Sequence, residues 1–454
     1  RGQGCGVCYE TLVLSKMGLG IKVEVIHKET IQPSSPTPHH LKNTNLSVFD
    51  QFLPDIYVPI LLFYPNNNCE EVNNLVAERS KLLKTSLSET LTHFYPFAGK
   101  FQYNDSICCN DHGAAFLETQ VNCPISKILG KPDFVMLKQL LPADTESRQE
   151  GASYLVQVQA NFFGCGGMAI GVCISHKVSD ASTISKFISS WAAISFGSNG
   201  TTPLVLPAEF GVASSLFPPL DFLNTTQPPM EYDKENLITR RFVFDASKIA
   251  ALKSKIATAT VPNPTCVEVV SALIWKCAFE ASRSNLGSVR PSEWFQFVNM
   301  RKILVQPLAE NVAGNALALV SAKTHGSKVD GDVESLVAKL RKCFKEFKAK
   351  YANDVSGEDV CEFFKDYWKL TDQDDVDTYT CSSWCKFPFY AVNFGWGRPS
   401  WVSQSMEYRN LIVLMDTRDG DGIEACLTLD EEEMAIFEVD KELLEYAALN
   451  PTLV

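Results

Sequence analysis

No apolar run in this chain reaches the ~20 residues that a membrane-spanning helix needs, and no block of Lys or Arg stands anywhere along it. The first absence argues against a membrane partner. The second, with a formal net charge of −12 over 454 residues, argues against nucleic acid and against anionic lipid. A phosphate-bearing ligand stays open, because a few local donors suffice for one. Neither a P-loop nor a Rossmann glycine fingerprint appears, so such a ligand would be held without those devices. The G-x-S-x-G elbow is missing too, which removes support for a serine hydrolase. Cysteine is not scarce, at 15 residues, but framework spacing is. Cys5-x-x-Cys8 and Cys381-x-x-x-Cys385 lack the partner pair that would complete a zinc site, so no metal is expected. Free thiols in a reducing, cytoplasmic setting are the expectation.

What is present is core-forming material. Hydrophobic residues make up 45% of the chain and aromatics 11%, with 28 Phe, so packed globular structure is expected rather than disorder. At ~100–200 residues per domain the length suggests about two to four units. Residues 1–16 are read as foreign to the natural chain, with Met17 as the start. A stretch rich in Pro, Gly, Thr and Asn over 196–235 reads as a linker. It divides an N-terminal unit, 17–195, from a C-terminal unit, 236–454.

Hydrophobic periodicity supplies the elements. "IKVEVIHKETI" alternates like a strand, and 72–94 shows helical spacing. In "SYLVQVQANFF", Tyr154, Val156, Val158 and Ala160 face one way while Gln157 and Gln159 face the other. "CGGMAIGVCISH" is a continuous apolar run, typical of a buried strand. After His176 the period changes: Ile184, Phe187, Ile188 and Trp191 follow helical spacing. Asp180 and Ser182 sit where an N-cap belongs. Beyond the linker, 238–256 reads as strand then helix and 266–282 as an apolar helix. "EWFQFVNMRKI", "YAVNFGWG", "LIVLMDT" and "IEACLTL" read as strands. The fold class expected is α+β or α/β, in two domains of similar size.

A histidine at the end of a buried strand is firmly held and can still face a cleft. Imidazole titrates in the right range to take a proton from an alcohol, which is a poor nucleophile until that proton leaves. His176-x-x-x-Asp180 alone is a weak signal, since such pairs arise often by chance. By itself it reads more readily as a structural histidine and a helix cap or ion-pair partner than as catalytic groups.

A second motif adds to it. "YAVNFGWGRP" stands at 390–399. With His176…Asp180 in mid-chain and Asn393-Phe394-Gly395-Trp396-Gly397 toward the C-terminus, the chain resembles the BAHD family of plant acyl-CoA-dependent acyltransferases. The resemblance also takes in "SPTP" at 35–38, "THFYPFAGKF" at 92–101, "NMR" at 299–301, "SSWC" at 382–385 and "DGDGIEA" at 419–425. It runs from about residue 22 to the end.

The resemblance implies an α/β fold of two chloramphenicol-acetyltransferase-like domains, mixed sheets flanked by helices and joined by a crossover loop. It implies a channel between them, with the histidine at its centre. It implies direct transfer from acyl-CoA, as co-substrate and not a permanent cofactor, to a small-molecule alcohol or phenol, by a cytoplasmic monomer. Carried onto this chain, His176 is the general base and Asp180 pairs with Arg301 to support the site. Ser382 and Trp384 match positions beside the acyl carbonyl and become oxyanion candidates. Thr265, before an apolar helix, matches a position near coenzyme A; a plain N-cap would look the same. Asn393 departs from the family's usual Asp, which puts the anchoring of that loop in question. Gly395 and Gly397 imply a tight backbone path. A non-catalytic binding protein of the same fold, or a hydrolase with a covalent intermediate, are the competing readings.

Overall fold

The computed structural model describes residues 21–66, 72–142, 154–197, 208–223, 236–304, 311–325, 331–353, 355–371 and 375–453. Residues 1–16, and positions 198–207 and 224–235 of the expected linker, lie outside the described residues. The described chain forms an α/β structure of two large mixed sheets flanked by helices.

The first sheet has six strands in the order Val23–Ile31, Ala114–Val121, Val156–Phe163, Met168–Ser175, Tyr57–Tyr64 and Trp401–Ser403. The second has seven, in the order Leu317–Thr324, Ser292–Asn299, Asp377–Ser383, Leu411–Asp416, Ile423–Asp430, Leu237–Phe244 and Ala448–Leu449. Trp401–Ser403 lies in the C-terminal half of the sequence yet pairs antiparallel with Leu61–Phe63 in the first sheet. The C-terminal half of the sequence therefore lends one strand to the first sheet.

The apolar runs have a direct cause. Every residue of Tyr57–Tyr64 and of Met168–Ser175 is buried. One face of the first sheet packs under the helices Val72–His93 and Ala181–Gly197, with Leu83, Leu87, Leu91, Ile184, Phe187 and Trp191 in the shared core. The other face is covered by Ile125, Ile128, Phe134 and Leu137 of two short helices. A sheet covered on both sides needs apolar residues at every position rather than every second one. Gln159 lies under this second cover. It is buried, and its Nε2 donates to the Gln139 carbonyl at 2.9 Å. Gly171 permits the close approach: a Cβ there would stand 2.2 Å from the Leu140 carbonyl oxygen.

One element differs from its sequence reading. "YAVNFGWG" is not a strand. It is a 3-10 turn, Phe389–Ala391, followed by an irregular loop. Gly395 and Gly397 take φ of 121° and 104°, values that a strand excludes and that favour glycine. The Asn393 side chain takes the N–H groups of Gly395 and Gly397 at 2.9 and 3.0 Å, in place of a ladder.

Candidate active site

The strand Met168–Ser175 ends where His176 donates its main-chain N–H to the Ile56 carbonyl at 2.8 Å. The turn that follows is closed by Val178 N–H on the Ser175 carbonyl, and by Ser179 Oγ on the same oxygen at 2.9 Å. It returns the Ser179 carbonyl to the imidazole, 3.1 Å from Nδ1. A carbonyl only accepts, so Nδ1 carries the proton and Nε2 keeps its lone pair. Burial pushes the imidazole below the usual histidine range and outweighs the groups that favour its charged form. At neutral pH the ring is neutral, with Nε2 as the basic atom.

Asp180 is the N-cap of Ala181–Gly197: its Oδ1 accepts from Thr183 N–H at 2.9 Å. Its Oδ2 accepts from Arg301 Nη1 at 2.6 Å and from Ala316 N–H at 3.1 Å. Both residues of the pair are buried, Asp180 at 1% and Arg301 at 4% exposure. Burial alone would raise the carboxyl; Arg301 and the two main-chain donors outweigh it, and the net shift is downward. Arg301 spends its other donors on the carbonyls of Val312 and Gly314, at 3.1 and 2.8 Å. The structure thus joins Asp180 to Arg301 and turns the carboxylate away from the ring, which bonds to Ser179 instead.

Two further residues complete this unit, and neither carries a family motif. Asn315 Nδ2 donates to the His176 carbonyl at 2.7 Å and to Asp50 Oδ1 at 2.8 Å. Asp50 also accepts from Ser47 N and Oγ, both at 2.7 Å. The Ser47-x-x-Asp50 spacing is a legible capping box. Nothing in the sequence ties it to Asn315, 265 positions away.

Ser382 and Trp384 form a second group at the end of Asp377–Ser383. Trp384 Nε1 donates to Ser382 Oγ at 3.1 Å. Trp384 is buried and joins the core of the first sheet, while Ser382 is half-buried. The indole N–H is already spent, so only the Ser382 hydroxyl of this pair keeps a proton to offer elsewhere. Among the described residues no hydrogen bond joins this pair to His176.

Thr265 caps Cys266–Leu286 with a full capping box: its Oγ1 accepts from Glu268 N–H at 3.2 Å, and Glu268 accepts from Thr265 N–H at 2.7 Å. Arg341 grips Glu268 through Nε and Nη2 at 2.9 and 2.8 Å. The Thr265 hydroxyl proton is left over. Among the described residues no group of three or more His, Cys, Asp or Glu side chains could hold a metal ion.

Asn393, Gly395 and Gly397 lie in a loop held by aromatic packing, with Phe394 and Trp396 stacked at 5.5 Å and Trp191 edge-on to Phe394 at 4.9 Å. The amide oxygen of Asn393 makes both loop bonds, and a carboxylate oxygen would accept them equally well. Asn393→Asp is therefore expected to keep turnover within about threefold, since Asn393 is half-buried and both loop bonds are kept. The melting temperature is expected to hold, since the two bonds that shape the loop are kept. Steady-state rates and a thermal melt check both. A hundredfold loss with an unchanged melt would place Asn393 in the chemistry.

The chain matches the model of the "Transferase family" over residues 21–444. It is 41% identical over 427 residues to akuammiline synthase 1 of Alstonia scholaris, covering 93% of this chain and 97% of that one. It is 35% identical to acyltransferase Pun1 of Capsicum frutescens, covering 94% and 98% of the two chains. Among solved structures, vinorine synthase aligns with a TM-score of 0.83 at 33% identity, covering 95% of this chain and 100% of that one. At 16% identity the fold alone is shared with TRI101 of F. sporotrichioides, solved with coenzyme A and T-2, at a TM-score of 0.72 over 90% of this chain and 99% of that one. Identity of this order over nearly the whole length of both chains is family membership rather than shared architecture alone: the chain belongs to the BAHD Transferase family and is an acyltransferase.

Proposed function

We propose that this chain moves an acetyl or short-chain acyl group from a coenzyme A thioester to a hydroxyl of a plant specialised metabolite, by direct attack in a ternary complex. The observation that carries this reading is the His176 imidazole, neutral, with Nδ1–H spent on Ser179 and Nε2 free to accept. The acceptor hydroxyl gives its proton to Nε2 as its oxygen attacks the thioester carbonyl carbon. The Ser382 hydroxyl, polarised by Trp384, donates to the oxyanion that forms. The tetrahedral intermediate collapses, the C–S bond breaks, and the imidazolium returns its proton to the departing thiolate. The products are the ester and coenzyme A.

Thr265 is assigned to the coenzyme A side on its leftover hydroxyl proton at a helix N-terminus. Relatives named as limonoid 1-O- and 7-O-acetyltransferases of Citrus sinensis, each at 35% identity, support acetyl as the donor group. A cytoplasmic monomer is part of the same reading; the described cysteines are all free thiols, which fits a reducing compartment. No described helix is long and apolar enough to cross a membrane.

The test is release of free thiol from acetyl-CoA in the presence of a plant metabolite extract. Acylated products are read by mass, and a serine-directed phosphonate runs in parallel. The expected result is acceptor-dependent thiol release with one new acyl ester and no covalent labelling of the protein. Labelling of a serine favours the covalent hydrolase instead. Binding of acyl-CoA and acceptor without thiol release favours the non-catalytic protein.

A further inference from the structure

The "DGDGIEA" stretch has no role in the transfer steps, yet its glutamate, Glu424, is only 3% exposed. Its Oε2 lies 2.8 Å from Nε of Arg241, which is buried to the same degree. Its Oε1 accepts the indole N–H of Trp401 at 3.0 Å. The Arg241 guanidinium stands 5.5 Å over the Trp401 ring. Arg241 and Glu424 belong to adjacent strands of the second sheet, whereas Trp401 belongs to the strand lent to the first. Trp401 is fully buried and stacks on Phe63 of the first sheet at 5.0 Å. A buried charge needs every partner it can find, and here the ion pair of one sheet takes a donor from the other.

Strand register carries that grip to Ser382 and Trp384. Glu424 lies opposite Met415, and Trp384 donates its main-chain N–H to the Leu414 carbonyl at 2.7 Å. Two strands, about 10 Å, separate the grip from the indole. Arg241, Cys426, Val413 and Ser382 form one row across four strands. Residues opposite one another share a face of a sheet, so Arg241 and Ser382 stand on the same side. That side meets the first sheet, since Val413, Met415 and Trp384 lie in its core. A second route runs through the loop before Trp401: Val402 donates its main-chain N–H to the Tyr390 hydroxyl at 3.2 Å, and the ring of Phe389 is 5.9 Å from that of Trp384. The base belongs to the first sheet. Its main chain bonds to Ile56, just before Tyr57–Tyr64, and that strand carries Trp401–Ser403 on its other edge. Among the described residues no hydrogen bond joins His176 to Ser382 or Trp384, so their separation depends on how the two sheets are joined.

We propose that Glu424, held by Arg241, is a positioning residue for the oxyanion donor: by gripping Trp401 it sets Ser382 and Trp384 at the distance from His176 that transfer needs. Glu424 takes no proton and reaches no reacting atom. It acts on the developing oxyanion only through the place of the Ser382 hydroxyl. This deepens the reading of Ser382 as the oxyanion donor and rests on it.

The test has one readout that needs no acceptor. The Trp384 indole N–H is bonded to Ser382 Oγ, so its NMR signal reports the state of the oxyanion pair. The chain has 7 tryptophans. With isotope-labelled tryptophan in the full chain, the Trp384 signal is assigned by its loss in Trp384→Phe. Trp401→Phe keeps an aromatic ring for Phe63 and removes the N–H on Glu424. Glu424→Gln keeps an oxygen for that N–H and removes the charge facing Arg241. Both variants are expected to move the Trp384 signal by more than its line width. With the acceptor found in the metabolite screen, kcat is expected to fall about tenfold in each, less than the roughly 10²–10³-fold of losing an oxyanion donor outright. Both KM values are expected to stay within about twofold, as the oxyanion exists only in the transition state. The acid limb of the kcat/KM profile should stay in place, because the His176 turn is untouched.

Trp401→Phe is read alone if Glu424→Gln does not fold. A Trp384 signal that stays in place in a folded variant overturns the proposal, whatever the activity. A kcat within about twofold of wild type overturns it as well, and so does a loss of activity that a lower melt wholly explains. Full activity in Ser382→Ala is a different failure: it removes the oxyanion donor, while the Trp384 signal still reads the grip of Glu424.

Discussion

His176→Ala is expected to lower kcat by about 10²–10⁴-fold, the range that a general base contributes, with coenzyme A binding unchanged. The size follows from how the ring is held. The Ser179 carbonyl fixes Nδ1–H, which leaves Nε2 as the basic atom. No other described group of the His176 turn could replace it: Asp180 is saturated by Arg301 and main-chain donors, and Asn315 has no lone pair basic enough to take a proton at neutral pH. Alanine leaves the main-chain bonds of residue 176 to Ile56 and Asn315 in place, so the fold should survive.

The pH dependence follows from the same burial. Because burial lowers the imidazole's titration, the ring stays neutral to a pH below the ordinary value of about 6.5. The wild-type kcat/KM profile should hold its plateau into mildly acidic solution before falling. Activity of His176→Ala within about threefold of wild type is outside the range expected for loss of a base, and would remove His176 from that role. Isothermal titration with coenzyme A separates loss of chemistry from loss of binding.

Asp180→Ala is expected to cost about 3–5 kcal/mol of stability, the range for breaking a buried ion pair by removing one partner. Arg301 is 4% exposed and would keep its charge without the carboxylate. The main-chain N–H groups of Thr183 and Ala316 would lose their acceptor at the same time. The pair also joins the two halves of the chain: Asp180 begins a helix on the first sheet, while Arg301 and Ala316 flank strands of the second. Lower soluble yield, a lower melt and lower activity are expected together.

The linkage has a definite sign. The folded carboxyl titrates below its unfolded value, so its contribution is present above the ordinary aspartate range of about 3.9 and is lost as pH falls through the lowered value. Urea unfolding at neutral and acidic pH checks this. The gap between wild type and Asp180→Ala should be widest at neutral pH and narrow only in strong acid. A variant as stable as wild type and yet inactive would make Asp180 a participant in the chemistry.

Local signals carried much of the site. The change from strand to helical spacing placed a strand end near His176 and a helix start near Asp180. The structure ends the strand at Ser175 and starts the helix at Ala181. Ile184, Phe187, Ile188 and Trp191, chosen by spacing, are all buried. Thr265 is a cap by a rule that reaches only three residues ahead. In each case the partners are neighbours in the chain, so the pattern that creates the contact is written in one short stretch.

Where the partner is remote, spacing gave nothing. The pairing of Asp180 with Arg301 spans 121 positions, and only the family resemblance pointed to it. Asp50 with Asn315 spans 265, and nothing pointed to it at all. "YAVNFGWG" has the composition of a strand, yet the Asn393 side chain and two glycines at positive φ bend it into a loop. The short strand Trp401–Ser403 looks no different from its neighbours and crosses to the other sheet. Propensity and period report what a segment prefers by itself. Which buried carboxylate meets which donor, and which sheet takes a three-residue strand, is decided when burial forces every polar group to find a partner, and that partner can lie anywhere along the chain.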